Sequence, residues 1–462
     1  MSPLFPSVPR PVLACLLAVP LALGGCGLMR TDYERPAVQS PATWTYDTAR
    51  DVAAAGGVWW RNFNDPTLER LIDQALERNN DLAAAALRVQ QARLQAGLAR
   101  SDQFPTLDGE IDISRQRNLR GERQILRSNR ANLSVSYELD LWDRLQAQRD
   151  AAEWEAAATE QDRASAALSL VGTTATLYWQ TAFLNQRLAS AADSIAYAQR
   201  TLELVQSQYD AGGASALEVA EARQNLASQQ AARTELAQQR VEDLNAMAIL
   251  FDGPPDRIMA DPLRLPPTTL PPVPAGVPAD LLARRPDLRA AELRLREALA
   301  QTDATRASFY PPLVLTGSLG SSSTVLSNLL QNPVGTLGAG LTLPFLNWNQ
   351  MRLNIRVSET EYELRVVEFR QALYQAMADV ENALSGRTQL AARADLLQQS
   401  LAAARQAEDL YEVRYRSGAV SLRFWLDAQE KRRTAEIELD QNTLDRLLNQ
   451  VNLYQALGGD TR

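Results

Sequence analysis

The stretch Asn132-Leu133-Ser134-Val135-Ser136-Tyr137-Glu138-Leu139-Asp140-Leu141 alternates polar and apolar side chains without a break. Successive residues of a β-strand point to opposite faces, so this pattern predicts a strand with one apolar and one polar face. The same alternation runs from Leu107 to Ser114, and together the two runs predict a β-hairpin. Strands of ~10 residues can cross a bilayer when they are tilted. The alternative is a soluble sandwich, in which the apolar face would be the core face.

The chain consists of two copies of one unit that are offset by 206 residues. Asn80-Asp81-Leu82 aligns with Pro286-Asp287-Leu288, and Leu141-Trp142-Asp143 aligns with Asn347-Trp348-Asn349. One offset that serves the whole length indicates an internal repeat. Each copy is predicted to contain a helix, a hairpin, a long helix, a turn and a helix, the first helix of copy one running from about Thr67 to Gln103. The predicted organisation is a signal peptide at 1–25, a lipid-anchored extended segment at 26–66, repeat 1 at 67–253 with its hairpin at about 107–141, a proline-rich connector at 254–278, repeat 2 at 279–459 with its hairpin at about 313–346, and a tail at 460–462.

The number of predicted strands implies an oligomer. Four strands cannot close a barrel, because the smallest closed barrels have about eight. Open strand edges are not tolerated in lipid, so the hairpins of one chain require partners. Three chains would supply twelve strands, an even number within the usual range. A homotrimer with a polar-lined lumen is therefore the simplest solution.

Each hairpin is followed by a helical stretch of about 70 residues, Arg144–Ala211 and Met351–Ser417, which would extend ~100 Å if continuous. Helices of that length require coiled-coil or bundle packing. Gly172 and Gly386 interrupt them and mark places for bending. The predicted fold class is an α+β membrane protein, in which a trimeric twelve-stranded outer-membrane β-barrel continues into a long periplasmic α-helical coiled-coil barrel.

The first residues have the pattern of an export signal. Arg10 is the only charge before Cys26, and the apolar run Val12–Leu23 is too short to span a bilayer comfortably. Leu23-Gly24-Gly25-Cys26 resembles the bacterial lipobox, in which cleavage before the cysteine leaves it acylated. The alternative is an ordinary signal peptide that contains a cysteine. Since Gly27 and not aspartate follows, Gram-negative sorting implies a lipid anchor in the outer membrane, with the chain extending into the periplasm.

Composition argues against most enzyme classes. The chain has no histidine, and its two cysteines, Cys15 and Cys26, both belong to the N-terminal export signal and its cleavage site. Ser-His-Asp and Cys-His catalysis and His-ligated metal sites are therefore excluded. The 47 basic residues do not exceed the 55 acidic ones, so nucleic acid is not an expected partner. We predict a protein that is not an enzyme and that carries no metal and no cofactor besides the covalent lipid on Cys26.

Several motifs that cover essentially the whole mature chain resemble the TolC-type outer-membrane factors, in particular the lipoprotein branch typified by OprM. These motifs are the lipobox, Tyr33-Glu34-Arg35-Pro36, Trp59-Trp60-Arg61-Asn62-Phe63, Tyr137-Glu138-Leu139-Asp140-Leu141-Trp142, Arg284-Arg285-Pro286-Asp287-Leu288, Arg414-Tyr415-Arg416-Ser417-Gly418 and Leu426-Asp427-Ala428-Gln429. The resemblance implies a trimeric exit duct for an RND efflux pump, with an inner-membrane RND transporter and a periplasmic adaptor as partners. It does not specify the exported substrate.

The turns that join the long helices have residues suited to tight turns and helix caps. Gly212 and Gly418 can adopt the positive φ that such turns need. Ser215 with Glu218 predicts a capping box, and Ser421 is predicted to be an N-cap. These structural roles are sufficient in themselves. By resemblance, the two turns are also where the periplasmic adaptor docks, at the end of the helices remote from the barrel.

The resemblance also implies a pore gate at Asp427, which threefold symmetry would turn into a ring of three carboxylates. Glu430 lies on nearly the same helix face and could form a second acidic ring, although it replaces an arginine of the OprM pattern. Such rings favour cations over anions. Tyr415 matches a tyrosine that latches the closed state in TolC, whereas the arginine expected near it is Val420 here. The alternative for Asp427 is a solvated acid near a helix N-terminus.

Two other functions and one further ligand remain open at this point. An exit duct of a type I secretion system would have the same fold and a different cargo. A structural coiled-coil lipoprotein that tethers membrane to cell wall would need neither the amphipathic hairpins nor an acidic ring. The loop region Arg115–Arg130 holds six arginines and one glutamate, and could pair with lipopolysaccharide phosphates or be merely solvated.

Overall fold

The structure is a computed structural model of the full chain. It describes residues 30–46, 58–120, 125–255, 260–266, 270–271, 273, 276 and 278–459. The predicted signal peptide at 1–25, the predicted lipidation site Cys26 and the predicted tail at 460–462 lie outside the described residues.

The described residues contain one antiparallel sheet and two pairs of long helices. The strands follow one another in chain order as β1 (Thr106–Arg117), β2 (Ile125–Leu139), β3 (Leu313–Ser323) and β4 (Val334–Leu341). The principal helices are α1 (Pro66–Arg78), α2 (Asn80–Ser101), α3 (Arg144–Asp210), α4 (Ala216–Leu250), α5 (Pro286–Ala307), α6 (Trp348–Arg416) and α7 (Leu422–Ala456). No helix in the described part of the chain is long and apolar enough to cross a membrane.

The chain divides into two compact units, each built from three stretches of sequence. The first unit contains the whole sheet and consists of Met1–Val38, Arg88–Glu160 and Ala290–Gln371. The second contains the turns between the long helices and consists of Gln39–Leu87, Gln161–Arg289 and Ala372–Arg462. The buried tryptophans of the second unit, Trp44, Trp59, Trp60, Trp179 and Trp425, are among its largest core side chains.

Two predicted element boundaries were wrong. The helix expected from Thr67 to Gln103 is interrupted at Asn79, whose backbone is extended and whose side-chain oxygen accepts from the Leu82 N–H at 3.0 Å. Asn79 also donates to the Leu250 carbonyl, so this buried side chain caps the second helix while it contacts α4. The second hairpin was predicted to reach residue 346, but β4 ends at Leu341 and a 3₁₀ turn begins at Pro344. Proline has no N–H to donate to a strand ladder.

Gly172 and Gly386 of the long helices leave space for polar side chains of α7. A Cβ atom on Gly386 would lie 2.6 Å from Asn449 Oδ1, and one on Gly172 would lie 2.0 Å from Gln455 Nε2. Asn449 donates to the Ala383 carbonyl at 2.9 Å, and Gln455 donates to a carbonyl of α3 at 3.3 Å. Both helices are continuous through these glycines, which therefore serve close packing.

We expect Gly386→Ala to destabilise the protein, although alanine is the better helix former by ~0.8–1.0 kcal/mol. The new methyl group would displace the half-buried Asn449 side chain and leave its hydrogen bond to the buried Ala383 of α6 unmade, at a cost of about 1–3 kcal/mol. Thermal unfolding of the purified protein shows whether the variant is less stable than wild type. The matched control is Ala392→Gly at an exposed position of the same helix, which should destabilise through helix propensity alone. A stabilised Gly386→Ala variant would contradict this interpretation.

Candidate functional site

The two faces of the sheet have opposite character. Strand register places the side chains of odd-numbered residues on one face, for example Leu107 opposite Val135 and Gly317 opposite Leu337. The large apolar side chains of this face that are exposed in the single chain are Leu107, Ile111, Ile113, Ile125, Leu133, Val135, Leu315, Leu319, Leu337 and Leu341. A continuous exposed apolar face of this size requires a partner surface or lipid.

The height of this face matches a membrane. Apolar side chains on the odd-numbered face extend from the level of Leu139, which pairs with Leu313, to the level of Ile113, which pairs with Asn129. These rows are ten residue steps apart, or about 34 Å along the strands. A tilt of roughly 40° reduces this to about 26 Å across the membrane, close to the apolar band of outer-membrane barrels.

Aromatic residues occupy the ends of the strands that meet the helices. The rings of Trp142 and Tyr310 are 5.0 Å apart, and the Trp142 indole donates to the Pro311 carbonyl at 2.9 Å. Phe104 and Trp348 lie close to strand ends in the sequence, and the side chains of both are more than half exposed. Amphipathic aromatic side chains are typical of the membrane–water interface.

The other face of the sheet is polar and carries an acidic row on its first strand. Asp108, Glu110 and Asp112 stand opposite Ser134, Asn132 and Arg130 in the β1–β2 pairing. A closed barrel that turns its apolar face to lipid would direct these carboxylates into its lumen. Acidic rings in a pore favour cations.

The turns between the long helices, both in the second unit, have the conformations that their glycines suggest. Gly212 has φ +78° and Gly418 has φ +75°. Ser215 Oγ accepts from the Glu218 N–H, and the Glu218 carboxylate accepts from the Ser215 N–H at 2.8 Å, which completes a capping box. Ser421 is the N-cap residue of α7, as predicted. Its backbone is extended, but its side chain makes no hydrogen bond to the helix among the described residues.

An apolar cluster joins the two helical hairpins of the second unit. Trp425 is 2% exposed and its indole stacks on the Tyr415 ring at 5.3 Å. Tyr415 donates a 2.7 Å hydrogen bond to the Gln208 side chain of α3. The buried residues of this cluster come from all four helices. We call them the hairpin cluster: Val205, Val219, Ala222, Tyr415, Leu422 and Trp425.

The predicted latch residue Tyr415 is thus a buried member of the hairpin cluster. Burial is the main cause of its raised pKa, and the nearby Glu218 carboxylate adds to it. A second tie lies nearby, because Tyr197 donates to the Glu412 carboxylate at 3.0 Å, and Arg416 pairs with Glu412 at 2.7 Å. The tyrosines therefore stay neutral hydrogen-bond donors at neutral pH.

The predicted gate residues lie in a groove of about 630 Å³ between α6 and α7. Asp427 is exposed there and forms no ion pair with the described residues. Glu430 lines the same groove but forms an ion pair with Arg433, three residues further along the helix. The rings of Tyr411 and Phe424 stack in parallel at one end of the groove, with centroids 6.2 Å apart. The structure therefore brings Asp427 and Glu430 into one groove, which Lys431 and Glu438 also line. Of the two predicted gate residues, Glu430 has an ion-pair partner and Asp427 has none among the described residues.

The chain belongs to the outer membrane efflux protein family, whose model matches residues 71–251 and 277–459. The starts of the two matched segments, at positions 71 and 277, differ by the offset of the internal repeat. The chain is therefore an outer-membrane channel component of an efflux system, and the predicted fold class is confirmed.

Relatives and solved structures agree with this family. The chain is 34% identical to the pyoverdine export outer membrane protein OpmQ of Pseudomonas putida, over 96% of this chain and 97% of the relative. It is 33% identical to the solvent efflux pump outer membrane protein SrpC of Pseudomonas putida, over 95% and 96%. The open state of the Neisseria gonorrhoeae MtrE outer membrane channel superimposes with a TM-score of 0.76 and 31% identity, covering 93% of this chain and 98% of that structure.

Trp425 and Gln208 are the residues of this region that sequence reasoning missed. A signal was available, because Trp425 aligns with Val219 and Ala428 with Ala222 at the repeat offset of 206. Val219, Ala222 and Trp425 all belong to the hairpin cluster. Aligned apolar positions next to both turns therefore indicate where the two repeats contact each other.

Proposed function

We propose that three copies of this chain close a twelve-stranded barrel and form the exit duct of a tripartite efflux pump. The observation that supports this most strongly is the sheet. It has an apolar face about 26 Å high and ends in two edge strands, β1 and β4, which have no second neighbour among the described residues. Pairing β1 of one chain with β4 of the next satisfies both edges, and three chains make the barrel wide enough for a lumen.

A periplasmic adaptor and an inner-membrane RND transporter are the proposed pump partners, and small organic molecules are the proposed cargo. The relatives are named for pyoverdine export and solvent efflux, which favours efflux over type I secretion. The turns around Gly212, Ser215, Gly418 and Ser421 are the proposed adaptor contacts. They are exposed and joined by the hairpin cluster, so an adaptor that separates them could act on the gate.

We also propose acylation of Cys26. The lipobox-like sequence Leu23-Gly24-Gly25-Cys26 supports this proposal. The chain a few residues further on is held by side-chain hydrogen bonds. The Thr31 N–H and hydroxyl both donate to Asp303 at 2.8 Å, and Arg35 forks onto Glu292 with bonds of 2.9 to 3.0 Å. The segment Thr31–Arg35 is thereby fixed to the unit that contains the sheet. Cys26 is only four residues, or at most ~14 Å of chain, from Arg30.

Native mass spectrometry of the full chain, expressed in an outer membrane and extracted in detergent, tests the assembly. The expected species is a trimer of chains that begin at an acylated Cys26, and Cys26→Ser should lose the acyl mass while remaining a trimer. The same sample in a planar bilayer should conduct ions. A monomer that does not conduct would overturn the duct and leave the tether as the better function.

We expect Asp427→Asn to lower the preference of the channel for cations. Three Asp427 carboxylates around a narrow axis concentrate negative potential, and the amide removes that charge at nearly constant shape. Reversal potentials under a salt gradient measure the change. Asp445→Asn, about 27 Å further along α7, is the matched control because its carboxylate accepts from Gln441 outside the groove. An unchanged reversal potential for Asp427→Asn, or an equal shift for both variants, would contradict the gate.

A further inference from the structure

The apolar face of the sheet becomes mainly basic near the β1–β2 loop. On the odd-numbered face, Ile113 is followed by Arg115 and Arg117 on β1. On β2, Arg127 lies directly opposite Arg115, and Ile125 lies opposite Arg117. All three arginines are exposed, and none contacts a carboxylate among the described residues. We call Arg115, Arg117 and Arg127 the arginine rim.

The arginine rim faces the same way as the lipid-contacting side chains. Within β1 and β2, this face has no carboxylate from Leu107 to Arg117 or from Ile125 to Val135. The acids of the hairpin, Asp108, Glu110 and Asp112, all lie on the opposite face. The positive charge is therefore segregated to the membrane side and cannot be neutralised by the acidic row of the lumen.

The position of the rim along the strands is that of lipid headgroups. Arg115 and Arg127 are one alternation beyond Ile113, which ends the apolar band of about 26 Å. The rim is at the loop end of the hairpin, whereas the aromatic residues Trp142 and Tyr310 mark the helix end. In a family whose helices extend into the periplasm, the loop end is the outer leaflet.

The pairing of Arg115 with Arg127 is unfavourable without an anion between them. Like charges directly opposite each other on an antiparallel pair destabilise the sheet. Arginine forks bind phosphate oxygens in bidentate fashion, and an anion shared by two guanidinium groups turns the repulsion into attraction. The outer leaflet of a Gram-negative outer membrane is rich in such an anion, the phosphorylated disaccharide of lipopolysaccharide.

We propose that Arg115, Arg117 and Arg127 form a binding site for the phosphate groups of lipopolysaccharide on the outer rim of the barrel. The site rests on the proposed function, since the rim reaches the outer leaflet only if the sheet is part of a membrane barrel. Each trimer carries three copies of it. Arg130 is excluded, because it lies on the polar face opposite Asp112.

The test uses the full-length trimer, stripped of lipid by detergent exchange and titrated with diphosphoryl lipid A in native mass spectrometry. We expect the triple variant Arg115→Gln, Arg117→Gln, Arg127→Gln to bind lipid A at least about tenfold more weakly than wild type. Arg130→Gln is the matched control and should bind like wild type. Lipid A without its phosphates should bind wild type and triple variant equally, and millimolar inorganic phosphate should not displace the lipid.

A stability measurement guards against a variant that folds poorly. Arg127→Gln relieves the cross-strand repulsion, so in lipid-free detergent the variant trimer should unfold at a higher temperature than wild type. With lipid A present, the variant should unfold at a lower temperature than wild type, because it has lost a phosphate contact. If the loop were only solvated, the unfolding temperature of the variant would differ from that of wild type in the same direction with and without lipid A. Equal lipid A binding by wild type and triple variant, or displacement by free phosphate, overturns the site while the conducting trimer stands. Failure to form a trimer would overturn the proposed function and the site together.

Discussion

Leu337→Arg is expected to prevent the protein from assembling in the outer membrane. Leu337 is 92% exposed in the single chain, yet it lies on the apolar face of β4, near the middle of the apolar band. An arginine on the lipid face near the bilayer midplane costs about 2–4 kcal/mol. A trimer contains three such sites, so the total is about 6–12 kcal/mol, comparable with the whole stability of a folded domain.

The neighbouring residue provides the matched control. Thr336 precedes Leu337 on β4 and pairs with Ser318, so its side chain is on the polar face. Thr336→Arg places the same side chain one residue away, towards the lumen, where charge is tolerated. The measurement is the amount of trimer recovered from outer membranes, identified by its dissociation on heating. It is compared with the total amount of this protein in the cell.

A soluble sheet predicts a different result for the same pair of variants. An exposed surface residue of a water-soluble protein usually tolerates substitution to within about 0.5 kcal/mol. Leu337→Arg would then accumulate like wild type, and the membrane assignment of the apolar face would be wrong. If Thr336→Arg failed as severely as Leu337→Arg, the two faces would not differ, and the barrel would also be contradicted.

The strands and long helices could be predicted because each has a period that only one structure satisfies. The alternation from Asn132 to Leu141 has the strand period of 2, and the structure has β2 at Ile125–Leu139. The helical run predicted at 144–211 corresponds to α3 at Arg144–Asp210. Even the need for an oligomer followed from the count of strands, because lipid tolerates no open edge.

The environment of single residues could not be predicted from the repeat. Tyr209 and Tyr415 align at the offset of 206, yet Tyr209 is 44% exposed and Tyr415 only 7%. The repeat assigns both to the same position before a turn, whereas only Tyr415 packs against a tryptophan. Gly386 is a second example, because the need for a glycine there arises from close packing against Asn449. Asn449 belongs to a different helix, α7. Such contacts depend on tertiary packing, which a sequence period does not encode.

Trp425→Ala is expected to open the channel in the absence of an adaptor. Trp425 is buried in the hairpin cluster, where it stacks on Tyr415 and its ring lies 6.2 Å from that of Tyr197. Truncation of a buried tryptophan to alanine costs about 3–5 kcal/mol. Since the cluster joins the hairpin of α6 and α7 to that of α3 and α4, its loss should let the gate residues of α7 move apart.

The measurement is single-channel conductance in planar bilayers, together with thermal unfolding of the same preparations. Tyr415→Phe is the graded control, because it keeps the stacking on Trp425 and removes only the hydrogen bond to Gln208. That bond is worth about 0.5–1.5 kcal/mol, so conductance should rise less than in Trp425→Ala. A Trp425→Ala trimer that unfolds earlier but conducts like wild type would show that the cluster stabilises the helices without controlling the gate.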